Sequence, residues 1–264
     1  MRTALTIAGS DSSAGAGIQG DLKTFAAFGV YGTSAVTAVT AQNTKGVSAW
    51  EPVSTELVIA QIEAIASDIP PNAVKTGMLA TAAIVEAVAA TIEELELANL
   101  VVDPVMFATG GSRLLSEDAV AAVVAELLPR AEVVTPNLPE AEALVGGPIR
   151  TLDDMRAAAR RIRGLGPRVV VLKGGHLADG AADACVDVVS SAHADFDVRG
   201  PRVASRHTHG TGCTFAAAIT AALALGQPVD QAIRGARDYV TGAIRKAPEL
   251  GGGHGPLNHF WRVY

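Results

Sequence analysis

At 264 residues, with 49% apolar and 18% charged side chains, the chain has the composition of a globular protein and not of a disordered one. A net charge of -6 and a pI near 5.5, with no basic stripe, exclude a binder of nucleic-acid backbones. No run approaches the ~18–20 apolar residues of a membrane span, and Ala4-Leu5-Thr6-Ile7-Ala8 is too short for a signal core, so a cytoplasmic protein with no membrane partner is expected.

Short β-rich runs alternate with helical patterns from end to end. The first, Thr3–Ala8, leads into Gly9-Ser10-Asp11-Ser12-Ser13-Ala14-Gly15-Ala16-Gly17. Gly15-Ala16-Gly17-Ile18-Gln19-Gly20 formally satisfies GxGxxG, but it starts well past the strand end. The second strand also ends in Gln42-Asn43 without an acid for a ribose, which speaks against a dinucleotide site. The loop reads as a pocket floor before a helix with Ile18, Leu22, Phe25 and Phe28 on one face and Gly29 as its stop. Asp21 is placed in the first turn, where an acid complements the helix dipole.

The second strand, Thr33–Thr40, precedes Gln42-Asn43-Thr44, whose amides either read a heterocycle's donors and acceptors or close a turn. The third, Ala73–Thr76, ends in Lys75-Thr76-Gly77-Met78, where Met78 is either core filler or a flat contact to a ring. After a helix bearing Ile84, Val88, Ile92 and Leu95, the fourth strand, Leu100–Asp103, ends in Asp103-Pro104-Val105-Met106. Asp103 there either forms a turn or reaches a hydrated Mg²⁺. Val120, Val123, Val124 and Leu127 mark the next helix, and Glu132–Thr135 the fifth strand. In Thr135-Pro136-Asn137-Leu138-Pro139-Glu140, Asn137 and Glu140 have capping-box spacing and also lie at the sheet's carboxyl end.

Thr151-Leu152-Asp153-Asp154 opens another helix, with a capping threonine and early acids. The sixth strand, Arg168–Lys173, carries a continuous apolar run suited to burial on both faces. It ends in Lys173-Gly174-Gly175-His176, which is either a cation with open amides for an anion or a plain turn with a solvated lysine. No Walker A pattern occurs. His207-Thr208-His209-Gly210-Thr211-Gly212-Cys213-Thr214 then runs into the Ala-rich stretch Phe215–Leu225, and Pro228 opens a last helix to about Lys246. A helix start presents unpaired amides and partial positive charge, and glycines let an anion approach them. The same field is expected to lower the pKa of Cys213. The bland alternative is a strand-to-helix turn with a small packing cysteine. Neither Cys185 nor Cys213 has metal-type spacing, and two thiols make no disulfide framework.

This rhythm predicts an α/β fold, a three-layer α/β/α sandwich with a mostly parallel central sheet, as one domain over residues 1–264. Its motifs should converge at the carboxyl ends of the strands.

Taken in order, these motifs resemble the hydroxymethylpyrimidine/phosphomethylpyrimidine kinases of thiamin biosynthesis, members of the ribokinase-like superfamily. The resemblance runs from Thr3 to Gly255-Pro256-Leu257-Asn258-His259-Phe260. One departure is visible: Asp11-Ser12-Ser13-Ala14 stands where the family often reads Asp-Pro-Ser-Gly. The resemblance implies an ATP- and Mg²⁺-dependent kinase of 4-amino-5-hydroxymethyl-2-methylpyrimidine and then of its monophosphate, and a homodimer. It places Gly9, Asp21, Gln42, Met78 and Val105 at the pyrimidine, and Asp103 and Glu140 at the metal. Asn137, Glu140, Lys173 and Thr211 fall at the ATP phosphates. Gly210, Gly212 and Cys213 with Lys173 fall at the chemistry. Cys213 stands where the wider superfamily commonly has a basic aspartate, so it is either the base for the alcohol or an orienting group. The alternatives are a pyridoxal or pyridoxine kinase on the same template and a nucleotide-binding regulator without catalysis.

Overall fold

In the computed structural model, which describes residues 1–107, 115–175, 177 and 184–263, the six expected strands form the parallel centre of one sheet. His176 lies outside the described residues. These strands are β1 (Thr3–Asp11), β2 (Tyr31–Asn43), β4 (Ala73–Thr76), β5 (Leu100–Val102), β6 (Val133–Val134) and β7 (Val169–Leu172). Three more strands flank them: β3 (Gly46–Pro52), β8 (Ala184–Ser191) and β9 (Asp195–Pro201). The order across the sheet is β3-β2-β1-β4-β5-β6-β7-β8-β9. Every pair from β2 to β7 is parallel, while β3 runs antiparallel to β2, β8 to β7 and β9 to β8.

Alternation along each strand divides its side chains between two apolar layers. Leu5, Ile7, Val74, Val102, Val134 and Val170 face a core with α2 (Thr55–Asp68), α3 (Ala82–Glu94), α5 (Leu138–Val145) and α6 (Leu152–Arg163). Ala4, Ala73, Val101, Val133, Val169 and Val171 face the other core, with α1 (Gly17–Ala27), α7 (Thr211–Ala224) and α8 (Val229–Arg245). The helix expected around Val120 is present as α4 (Glu117–Ala122), which widens into a π turn at Val123–Leu127 and tightens at Leu128–Arg130, where Pro129 has no N–H to give. Helix α7 is buried at every residue from Thr214 to Ala224. Its alanines follow from that position: it packs against α1, α8 and the sheet at once, and only small side chains fit on all sides.

Strand β1 has β2 on one side and β4 on the other, so the chain leaves it in one direction and returns in the opposite one. A crevice opens at the carboxyl ends where strand order reverses. The strand-end motifs are therefore brought together by topology, although they are far apart in sequence.

Candidate active site

A cavity of about 710 Å³ occupies that crevice. At one end it is walled by Gly9, Gln42, Met78, Val105 and Phe107. Gly9 keeps this wall flat: a Cβ there would come 3.3 Å from Met78 Sδ. Met78 is buried in the core and also contributes to the wall. Gly17 has φ +56°, and a side chain on it would strike the Gly9 carbonyl at 2.4 Å, so the turn into α1 requires glycine.

The other side of the cavity is built around the start of α7. Gly210 caps it with φ +81°, and no side chain caps the helix. A Cβ on Gly210 would lie 1.9 Å from the Gly15 carbonyl oxygen, so the two glycine loops interlock. Thr211 donates its amide and hydroxyl to the Thr208 carbonyl (3.2 and 2.7 Å). Among the described residues, the amides of Gly212 and Cys213 find no acceptor and remain for a ligand. A Cβ on Gly212 would lie 3.2 Å from Lys173 Nζ and 3.8 Å from Asp103 Oδ2, which places a cation and a carboxylate directly across from the bare backbone.

Lys173 Nζ donates to Asp103 Oδ1 at 3.1 Å, and Thr135 Oγ1 donates to the same oxygen at 3.0 Å. Burial works to lower the Lys173 pKa, but the nearby charges of Asp103 and Glu140 raise it overall, so the ammonium stays charged. The capping box of α5 is present, with Glu140 N donating to Asn137 Oδ1 (2.9 Å) and Asn137 N to Glu140 Oε2 (2.8 Å). The capping alternative is thus observed, and both residues also line the cavity. Burial pushes the Glu140 carboxyl up to about 7, against the pull of Lys173 and with the push of Asp103. Among the described residues no three His, Cys, Asp or Glu side chains gather as a metal cluster. A Mg²⁺ that keeps waters and phosphate oxygens needs only one or two carboxylates, and the adjacent buried pair Asp103 and Glu140 fits that demand.

Two expectations are corrected. The Cys213 thiol is not lowered by the helix start: burial pushes it up to about 12, and Asp103 and Asp21 add to this against Lys75 and the Gly17 amide. Desolvation of the thiolate at this half-buried position outweighs the field of one helix end. Asp21 is neither in the first turn of α1 nor on the cavity wall. It is fully buried behind the wall, accepting from Thr6 Oγ1 (2.6 Å) and Lys75 Nζ (2.8 Å). Lys75, itself fully buried, does reach the wall. The strand-end signal covers Lys75, but its partner is distant in sequence and no spacing connects them.

Asp11 and His209 carry no sequence signal of their own as a pair. His209 Nε2 lies 2.8 Å from Asp11 Oδ2, tying the loop after β1 to the loop before α7. Ala14 in that first loop has φ +59°, a conformation that costs a non-glycine residue about 1–2 kcal/mol.

An uncapped helix start facing a lysine across a glycine, in a crevice with a flat apolar slot beside it, defines a small-molecule phosphotransferase site on an α/β sandwich. The family model described as phosphomethylpyrimidine kinase matches residues 11–258, and the chain belongs to that family. It is 48% identical over 263 residues to the hydroxymethylpyrimidine/phosphomethylpyrimidine kinase of Haemophilus influenzae, covering 98% of this chain and 97% of that one. It is 51% identical over 255 residues to the thiamine biosynthesis bifunctional protein ThiED of Geobacter sulfurreducens; the match covers 97% of this chain but spans about half, 51%, of that relative. A crystal structure of Bacillus subtilis pyridoxal kinase with ADP superposes with a TM-score of 0.91 at 40% identity, covering 100% of both chains.

Proposed function

We propose that the protein transfers the γ-phosphoryl group of ATP to the hydroxymethyl oxygen of 4-amino-5-hydroxymethyl-2-methylpyrimidine, and then phosphorylates the monophosphate to the diphosphate, in thiamine biosynthesis. The observation that carries this reading is the pair of open amides at Gly212 and Cys213, set across from Lys173 and beside the ring slot of Gly9, Gln42, Met78 and Val105. Phosphoryl transfer asks for alignment and charge neutralisation more than for covalent help. The slot holds the ring so that its hydroxymethyl group faces Cys213. The amides and Lys173 receive the charge of the transferring group, in place before the reaction. Asp103 and Glu140, with Asn137 and Thr211 beside the phosphates, would hold a Mg²⁺, which supplies further positive charge to the phosphate oxygens. The hydroxyl oxygen forms its bond to phosphorus as the bond to the β-phosphate oxygen of ADP breaks. A thiol at about 12 carries its proton throughout the neutral range, so Cys213 orients the hydroxyl, and the hydroxyl proton leaves with the phosphoryl oxygens. Asp21 serves the ring slot through Lys75 rather than by contact.

The reading includes one kinase domain over residues 1–264, a cytoplasmic location and a homodimer, the last tested by sedimentation. Among the described residues no helix is long and apolar enough to cross a membrane. The decisive experiment presents ATP with the pyrimidine and with its monophosphate side by side and follows the products by phosphorus NMR. Both should be phosphorylated. A second reading, pyridoxal kinase, draws on the likeness to the Bacillus subtilis enzyme. Turnover of pyridoxal much faster than of the pyrimidine would establish it in place of the first, and ATP consumption with none of these substrates would leave a silent nucleotide binder.

A further inference from the structure

Asp11 and His209 stand between the ring slot and the phosphate cradle, and their hydrogen bonds leave little freedom. Asp11 Oδ1 accepts from Ser13 N and Ser13 Oγ, both at 2.8 Å. Asp11 Oδ2 accepts from Gly15 N (3.1 Å) and Ala16 N (2.8 Å) and lies 2.8 Å from His209 Nε2. Burial works to raise this carboxyl, but the bonds from His209, Ser13 and Ala16 prevail and bring it to about 2. An ionised carboxylate only accepts, so His209 Nε2 carries a hydrogen. The imidazole is also pinned in place: the His209 amide donates to the Gly255 carbonyl at 3.1 Å, and a Cβ on Gly15 would lie 2.4 Å from His209 Cδ2.

Gln42 Nε2 lies 3.4 Å from that same donor, which sets two donors against each other. At the other end of the amide, Gln42 Oε1 lies 3.3 Å from Thr40 Oγ1. The single hydroxyl hydrogen of Thr40 is given to the Ser10 carbonyl at 2.8 Å, so two acceptors meet there. An amide's two ends have the same shape, and its orientation follows from its partners. Turning the Gln42 amide end for end removes both conflicts: its N–H donates to Thr40 Oγ1, and its oxygen faces the Nε2 hydrogen, which Asp11 Oδ2 holds at 2.8 Å and the amide oxygen shares at 3.4 Å. The second lone pair of that oxygen is then open to a ligand in the cavity.

We propose that Asp11 and His209 are positioning residues that fix the polarity of the Gln42 amide, turning its carbonyl oxygen to the His209 side of the cavity so that the pocket selects rings offering an N–H donor there. This rests on the reading of the protein as a kinase of an aminopyrimidine, whose exocyclic amine is such a donor.

The test compares kcat/KM for the 4-amino ring and for its 4-oxo counterpart, which offers an acceptor in place of the amine. Wild-type protein should favour the amino ring by about 100-fold or more, since a site built to accept a hydrogen bond rejects a second acceptor. In His209→Phe an aromatic ring is kept but the Nε2 hydrogen that faces the Gln42 amide is lost, so Thr40 alone holds the amide's polarity. The preference should then fall by roughly tenfold, the worth of about one hydrogen bond. A merely structural role would lower both substrates alike and leave the ratio unchanged, and that result overturns the proposal. Gln42→Glu, which accepts at both ends and cannot reverse, should keep the preference for the amino ring. It carries the test if His209→Phe does not fold, and loss of the preference there also overturns the proposal. Equal use of both rings by wild-type protein defeats the polarity argument alone, whereas use of neither ring defeats the kinase reading beneath it.

Discussion

Of the three helix starts that face the cavity, those of α5 and α7 are finished in opposite ways. Helix α5 satisfies its own first amides through the reciprocal bonds of Asn137 and Glu140. Helix α7 begins at a left-handed glycine with no side-chain cap and leaves the Gly212 and Cys213 amides open toward Lys173. The first arrangement contributes to stability, about 1 kcal/mol for a cap of this kind. The second gives up that contribution and keeps the donors for an anion. A bare helix end is thus informative when a charged partner stands opposite it across a glycine.

The sharpest way to break this contrast is Gly212→Val. Its side chain would intrude on the space before Lys173 Nζ and should lower kcat by about 10³-fold, the scale of losing a transition-state donor, with folding retained. A steady-state assay alongside circular dichroism checks both points, and unimpaired turnover would place the anion elsewhere. Cys213 comes next. Because its thiol is held up to about 12, the rate should show no rise through pH 8–9 from thiol ionisation, and Cys213→Ser should stay within about tenfold of wild type. A pH–rate profile with an alkaline limb absent from the serine variant would return the cysteine to the role of base.

Glu140 tests the capped helix. Its carboxyl is raised from 4.5 to about 7, so its stabilising contribution is complete below about 4.5 and is lost as pH rises through 7. A glutamine side chain in its place would keep the acceptor for the Asn137 amide without the charge. Glu140→Gln should therefore melt roughly 2–4 °C above wild type at pH 8 in the absence of ligands, a gap that closes toward pH 5, while its activity falls. Thermal scans at the two pH values decide this, and a lower Tm at pH 8 would mean that ionised Glu140 is well accommodated. The smallest effect belongs to Ala14→Gly, which should add about 1 kcal/mol of stability by removing the left-handed strain, measured by denaturant titration; no gain would mean the loop tolerates alanine without strain.

Much of this architecture is legible directly because five of the six central strands are apolar runs closed by Gly, Pro or a charged residue, β2 instead ends in the amides Gln42 and Asn43, and each strand end carries its own motif. The flanking strands are hidden by their environments. Strand β3 is exposed along most of its length and shows no apolar face, while β8 carries the buried Asp187, which interrupts its apolar run. That aspartate accepts from the Gly174 amide at 3.0 Å and lies 3.2 Å from Arg237, partners supplied by other elements. The pairings without a sequence signal share this property. Lys75 with Asp21, and Asp11 with His209, are pairs whose meaning lies in the partner, and sequence spacing does not connect them. The sign of the Cys213 shift is out of reach for a related reason. A helix start is visible locally, whereas the surroundings that desolvate the half-buried thiol come from several separate segments.

The interlock of Gly15 with Gly210 has a bearing on the birth of the protein. During synthesis β1 and its loop emerge early, and the partner that completes them arrives nearly two hundred residues later. At roughly 5–20 residues per second the young loop waits on the order of ten seconds or more for its other half. The ring slot can take shape on the ribosome from β1, β2, β4 and the turn after β5 that carries Val105, but the cradle for phosphate does not exist until α7 has docked. On the proposed function, a nascent chain in which α7 has not yet docked cannot hold the phosphates of ATP.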